Sequence, residues 1–203
     1  VIEYGIVKGY VGDSYITSTV RDYSNQPNTP IRYDDLHSPG SLHAIFFDEE
    51  APEISEDVDK ESIRRAFKFS KGTKVHENYM AGPAAYDEWA KSLESEKEED
   101  RPYHGNSYNG ECNLEAKRIA GTFTKRLSEK YQGKPQAKYL DEASQKYSKI
   151  VRHLEKFQNL FPFALEGESP KEKRFEGAKI LKAITPLETQ AQTHLKEAYD
   201  AWV

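Results

Sequence analysis

The chain has 203 residues, of which 36% are hydrophobic and 31% charged, with a net charge of −5 and a mean hydropathy of −0.86. Its 13 Tyr and 9 Phe exclude an intrinsically disordered chain, which would be poor in aromatic residues. No apolar run approaches the roughly 20 residues that span a bilayer, so we expect no membrane partner. Lys and Arg are interleaved with acidic residues, and we therefore expect no nucleic-acid partner.

The first twenty residues are rich in Tyr, Ile, Val and Thr. Residues 2–10 and 14–20 predict two antiparallel strands, because the link at 11–13 contains Gly12, which adopts a positive φ at little cost. The chain opens inside the first of these strands. We therefore expect it to be the downstream part of a larger α+β protein, with a strand partner upstream.

The rest of residues 1–50 predicts the remainder of a small β layer. Residues 21–41 carry three prolines and predict a surface loop, in which the segment IRY touches the sheet edge. LHAIFF, residues 42–47, predicts a third, buried strand. An acidic linker at 51–60 follows, and Asp59 or Ser62 is the expected N-cap of the first helix.

Residues 61–203 predict a helical domain of about five helices, so the fold class is α+β. Apolar spacings of three and four residues place these helices at about 63–70, 82–94, 109–131, 140–161 and 172–202. In the third, the expected buried face consists of Cys112, Ala116, Ile119, Phe123, Leu127 and Tyr131. Pro186 is expected to kink or split the last helix.

The densest group of polar and reactive side chains is YHGNSYNGEC, residues 103–112. It gathers His104, Asn106, Tyr108 and Asn109 at an expected helix N-terminus, where anions are attracted and thiol pKa values fall. We therefore take these four residues as candidate site residues. Asn109 also fits a plain N-cap, and Cys112 fits a buried packing residue better than a nucleophile.

Metal and cofactor signals are absent from the sequence pattern. The single Cys excludes an internal disulfide and is typical of a reducing, cytoplasmic location. No HExxH motif, phosphate loop or dinucleotide fingerprint is present, so we predict no metal and no cofactor, although a metal site built from distant residues stays open. His153 and His194 are interpreted as solvated surface residues.

Several segments together resemble a known family. EYGIVKGYVGDSYITS, PIRYDDL, LHAIFF, AGPAAYDEWAKSLE, GNSYNGECNLEAKRIA and HLEKFQNLFPF follow the order of the butirosin-biosynthesis-protein-H-like group. That group is papain-like, and its relatives include bacteriocin-processing peptidases and an acyl-transferring enzyme of antibiotic biosynthesis. The resemblance implies a partial papain-like β layer at 1–50 and a papain-like acyltransferase or amide hydrolase acting on a small molecule or peptide.

The chain departs from that family where its catalytic residues lie. The family's nucleophilic Cys precedes the strand pair, its His heads the first strand, and its Asp or Asn ends the second. Here the latter two positions hold Glu3 and Ser18 or Thr19, so the catalytic residues are unknown. The chain is expected to be either an active relative or a catalytically degenerate one that lacks its upstream nucleophile. In the enzyme version Glu3 and Tyr4 line a cleft, and the alternative is a non-catalytic ligand-binding or protein-interaction module.

Overall fold

The computed structural model describes residues 6–18, 30–35, 54–69, 80–97, 103–164 and 166–202. The chain is an α+β protein in which a three-stranded antiparallel sheet is followed by five helices. It divides into two compact units, Val1–Pro52 and Glu53–Val203. Each unit is described by itself.

The first unit contains the predicted hairpin. Strands β1 (Ile6–Val11) and β2 (Ser14–Ser18) pair antiparallel across a tight turn in which Gly12 has a φ of 58°. Strand β3 (Ile31–Arg32) pairs with β2, which confirms the expected contact between the IRY segment and the sheet. The predicted strand at 42–47 lies outside the described residues.

The second unit is helical. Its described elements are α1 (Glu56–Phe69), α2 (Pro83–Glu94), α3 (Tyr103–Lys130), α4 (Pro135–Leu160) and α5 (Lys171–Asp200). Prolines stand at the first turns of α2 and α4, where the missing N–H costs no hydrogen bond. Within the described residues, no helix is apolar over enough of its length to cross a bilayer.

Two helix starts, and the continuity of the last helix, differ from the sequence prediction. Helix α1 begins at Glu56, because the Ser55 hydroxyl accepts from the Val58 N–H at 3.4 Å, and Asp59 is a buried first-turn residue rather than the N-cap. Helix α3 begins at Tyr103, so Asn109 is not an N-cap either. Helix α5 runs unbroken through Pro186.

The five helices form a four-layered bundle in which α1 and α2 together occupy one of the four helix positions. Helix α4 packs between α3 and α5, and its predicted apolar seam is fully confirmed. The buried seam consists of Leu140, Ala143, Tyr147, Ile150, Leu154, Phe157 and, just past the helix, Phe161. Helices α1 and α2 pack one after the other along α5 and together occupy the fourth helix position of the bundle.

Candidate functional site

The predicted site residues at 104–109 form the first turns of α3 and act as packing contacts. Trp89 of α2 donates its indole N–H to Asn106 Oδ1 at 2.7 Å, and Asn106 is buried. His104 Nδ1 lies 3.1 Å from the carbonyl oxygen of Ala164, beyond the end of α4. These bonds fix the start of α3 against two neighbouring segments.

The other two predicted residues of this group are on the surface. Tyr108 is 44% exposed, and its ring packs near His104 and Phe163 with centroid separations of 5.9 and 6.3 Å. Asn109 is exposed, and its backbone carbonyl accepts from the Asn113 amide at 2.9 Å. Glu3 and Tyr4 lie outside the described residues.

Cys112 is exposed, so the prediction that it packs in the core is wrong. Of the predicted face, Leu127 and Tyr131 are buried but Ile119 is 61% exposed. Gly110, Leu114 and Thr124 belong to the buried face that the prediction missed. The physical reason is close helix approach, since the small residues let α4 come near the α3 backbone. No hydrogen bond joins Cys112 Sγ to another residue in the described part of the chain.

A groove of about 710 Å³ runs along the outer side of the α3–α4 pair, and we call it the α3–α4 groove. The two helices approach closely at Gly121 beneath this groove, where the Ser144 hydroxyl donates to the Gly121 carbonyl at 3.0 Å. Its twelve lining residues are Lys117, Arg118, Gly121, Thr122, Lys125, Arg126, Glu129, Ser144, Ser148, Val151, Arg152 and Glu155. Five of these side chains are cationic and two are anionic.

Some of the groove cations are neutralised by neighbours. Arg118 contacts Glu155 at 2.9 Å, and Lys125 contacts Asp141 at 2.8 Å. The hydrogen bond from Lys125 is the largest cause that lowers the pKa of Asp141, and the same bond raises the pKa of Lys125. Arg126 and Arg152 are exposed and form no ion pair with any residue that the structure describes.

Behind the groove lies a buried carboxylate. Glu188 of α5 is 1% exposed, and its Oε1 accepts from Lys117 Nζ at 2.7 Å and from Gln192 at 2.8 Å. Its Oε2 has no hydrogen-bond partner among the described residues. Burial is the main cause that raises the pKa of Tyr147, and Glu188 adds to the rise. The ion pair with Glu188 holds Lys117 at the floor of the groove.

The sequence pattern did not indicate this groove. The basic residues of α3 that line the groove fall in two separated pairs, Lys117 with Arg118 and Lys125 with Arg126, so no continuous basic run is visible in the linear sequence. The groove needs the pairing of α3 with α4, which contributes Arg152. The available signal was the i, i+4, i+8 spacing of Lys117, Gly121 and Lys125.

Both histidines interpreted as solvated surface residues, His153 and His194, are half-buried, which differs from the prediction. His194 is half-buried, with 22% of its side chain exposed, and contacts Glu142 and Glu197, so its interpretation as a solvated surface residue is wrong. These three residues could together hold a metal ion.

The fold and the groove together define an α+β protein whose helical bundle carries a cationic surface groove. In comparisons with known proteins, the chain matches no family model, no curated protein and no solved structure.

Proposed function

We propose that the helical unit is a non-catalytic binding module whose α3–α4 groove takes a small molecule or peptide that carries carboxylate or phosphate groups. The observation that carries this proposal is that two guanidinium groups lining the groove, Arg126 and Arg152, have no ion pair among the described residues. Guanidinium groups bind carboxylates and phosphates through paired N–H donors.

The size and polarity of the groove fit such a ligand. A volume of about 710 Å³ lies within the range of roughly 300–1,000 Å³ that small-molecule sites occupy. The Thr122 hydroxyl adds a donor for anionic oxygens, whereas Ser144 and Ser148 already donate theirs to backbone carbonyls. Lys117 is ordered by Glu188 at the base, so its position is fixed before a ligand arrives.

The test is a titration of the full chain with two probes, a fluorescein-labelled hexaglutamate peptide and inorganic pyrophosphate. We expect saturable binding of at least one probe at low salt, weakened by added NaCl because exposed charges are screened. The double variant R126Q/R152Q should lower the affinity at least tenfold. Arg65→Gln is the matched control, because Arg65 is an exposed cation of α1 outside the groove.

The two probes separate the possible ligand classes. Binding of the peptide alone indicates a peptide or polycarboxylate ligand, and binding of pyrophosphate alone indicates a phosphorylated small molecule. Equal affinities in R126Q/R152Q and the wild type, or no saturable binding of either probe, would overturn the proposal.

We propose a papain-like acyltransferase or amide hydrolase relative as the second candidate. It is supported by the ordered series of segments that resembles the family and by the antiparallel hairpin that opens the chain. Hydrolysis of p-nitrophenyl esters or peptide p-nitroanilides by the full chain is the expected result.

Cys112 provides the control for the second candidate. It is the single thiol of the chain, so a Cys112→Ala variant that retains full turnover would exclude it as the nucleophile. No turnover of either substrate class would favour the binding module instead.

A further inference from the structure

Three potential metal ligands converge between α4 and α5, at side chains that do not line the groove. His194 Nδ1 lies 2.9 Å from Glu197 Oε2, one turn further along α5, and 3.3 Å from Glu142 Oε2 on α4. The ligand atoms of all three residues lie within 4.8 Å of one another. The three side chains are between 22% and 44% exposed.

This arrangement favours a positive charge at its centre. Two carboxylate oxygens directed at one point repel each other unless a cation lies between them. A neutral imidazole has one N–H at most, so Nδ1 cannot fully satisfy both oxygens. Lys138 is the nearest described cation on α4, and it faces the other oxygen of Glu142, Oε1, at 4.0 Å.

The separations fit a metal ion. Metal–ligand distances of about 2.0–2.2 Å and angles between about 90° and 110° place adjacent ligand atoms about 2.9–3.6 Å apart. The two distances at His194 Nδ1 fall within this range. We propose that Glu142, His194 and Glu197 bind a divalent first-row transition metal ion such as Zn²⁺, which joins α4 to α5.

The donor set selects the class of metal. One imidazole nitrogen with two carboxylate oxygens suits Zn²⁺ and its neighbours, whereas Mg²⁺ and Ca²⁺ prefer oxygen ligands alone. Closed structural zinc sites use four protein ligands, so three ligands leave at least one position for water or another group. The partial exposure of the cluster gives access to that position.

The test is isothermal titration of the full chain with ZnCl₂, and with MgCl₂ in a parallel experiment. We expect one Zn²⁺ per chain, with weak or no Mg²⁺ binding, and a melting temperature that rises with Zn²⁺ because the ion binds the folded state. His194→Ala should lower Zn²⁺ affinity at least a hundredfold, and Glu197→Gln at least tenfold.

His153→Ala is the matched control, since His153 lies on α4 and is not part of the cluster. It should keep the wild-type affinity and the Zn²⁺-dependent rise in melting temperature. Circular dichroism reports whether each variant folds; should His194→Ala fail to fold, Glu142→Gln and Glu197→Gln, which change partly exposed groups, decide the question. Unchanged Zn²⁺ affinity in the folded cluster variants, or no one-to-one binding in the wild type, would overturn the proposal.

Discussion

The Tyr131 hydroxyl donates to Asp59 Oδ2 at 2.8 Å and thereby ties the start of α1 to the turn between α3 and α4. Lys130 Nζ reaches the same oxygen at 2.6 Å, and both Asp59 and Tyr131 are 4% exposed. Two residues 72 positions apart in the sequence therefore share one buried polar contact.

Replacement of Asp59 with Ala should destabilise the helical unit. The change leaves the buried Tyr131 hydroxyl without its acceptor, and an unsatisfied buried donor costs about 1–3 kcal/mol. Urea unfolding followed by circular dichroism measures the loss. Asp57→Ala removes the same charge from the exposed first turn of α1 and should change stability by less; equal losses would contradict the role assigned to the Tyr131 contact.

Two helix glycines should respond in opposite directions to Ala. A Cβ at Gly177 would lie 2.9 Å from Phe161 Cε2 and 3.2 Å from Phe157 Cε2, so overpacking should cost about 1–3 kcal/mol. A Cβ at Gly121 would meet Tyr147 Cβ at an ordinary 3.4 Å, and its higher helix propensity should stabilise by up to about 1 kcal/mol. Thermal unfolding of the two variants compares them directly, and a stabilised Gly177→Ala would contradict the packing described.

The ion pair between Lys117 and Glu188 should show strong coupling. Lys117→Met leaves a buried carboxylate without its cation, and removal of one partner of a buried pair costs about 3–5 kcal/mol. The double variant K117M/E188M removes both charges and should recover most of that loss. A double-mutant cycle of urea unfolding measures the coupling free energy. Additive losses of stability in the two single variants would show that the two charges act independently.

Glu61 should make stability depend on acidic pH. Its hydrogen bond from Arg64, followed by that from Arg65, lowers the pKa of Glu61 from 4.5 to about 2. Because the folded pKa is depressed, the contribution is fully present above about pH 4.5 and is lost as pH falls towards 2.

The measurement for Glu61 is the melting temperature between pH 2 and pH 6. The wild type should exceed Glu61→Gln above pH 4.5, and the two should converge near pH 2. Added salt should reduce the difference, since the side chain is 38% exposed. A constant difference across this range would show that the ion pairs are not its cause.

The sequence predicted the buried face well where a helix has a single apolar face. In α4 the residues from Leu140 to Phe161 repeat at spacings of three and four with no competing face, and the prediction is confirmed. In α3 two stripes compete. The larger side chains, such as Ile119, suggested one face, but the smaller ones around Gly121 allow closer packing and form the interface.

The candidate sites could not be predicted because each joins two helices. The groove needs Arg126 of α3 and Arg152 of α4 to line one surface, and the proposed metal site needs Glu142 of α4 beside His194 of α5. Periodicity within one helix identifies which residues share a face, but it does not state which two faces meet.

The contact between Trp202 and the first turns of α1 has a topological consequence. Its indole N–H donates to Glu56 Oε1 at 2.8 Å, and its carbonyl oxygen accepts from Lys60 Nζ at 2.7 Å. The two extremities of the helical unit therefore adjoin, so a short peptide bridge between them would close a ring of helices without rearranging any. New ends opened at Gly133, in the tight turn before α4, would give a circular permutant with the same packed interior.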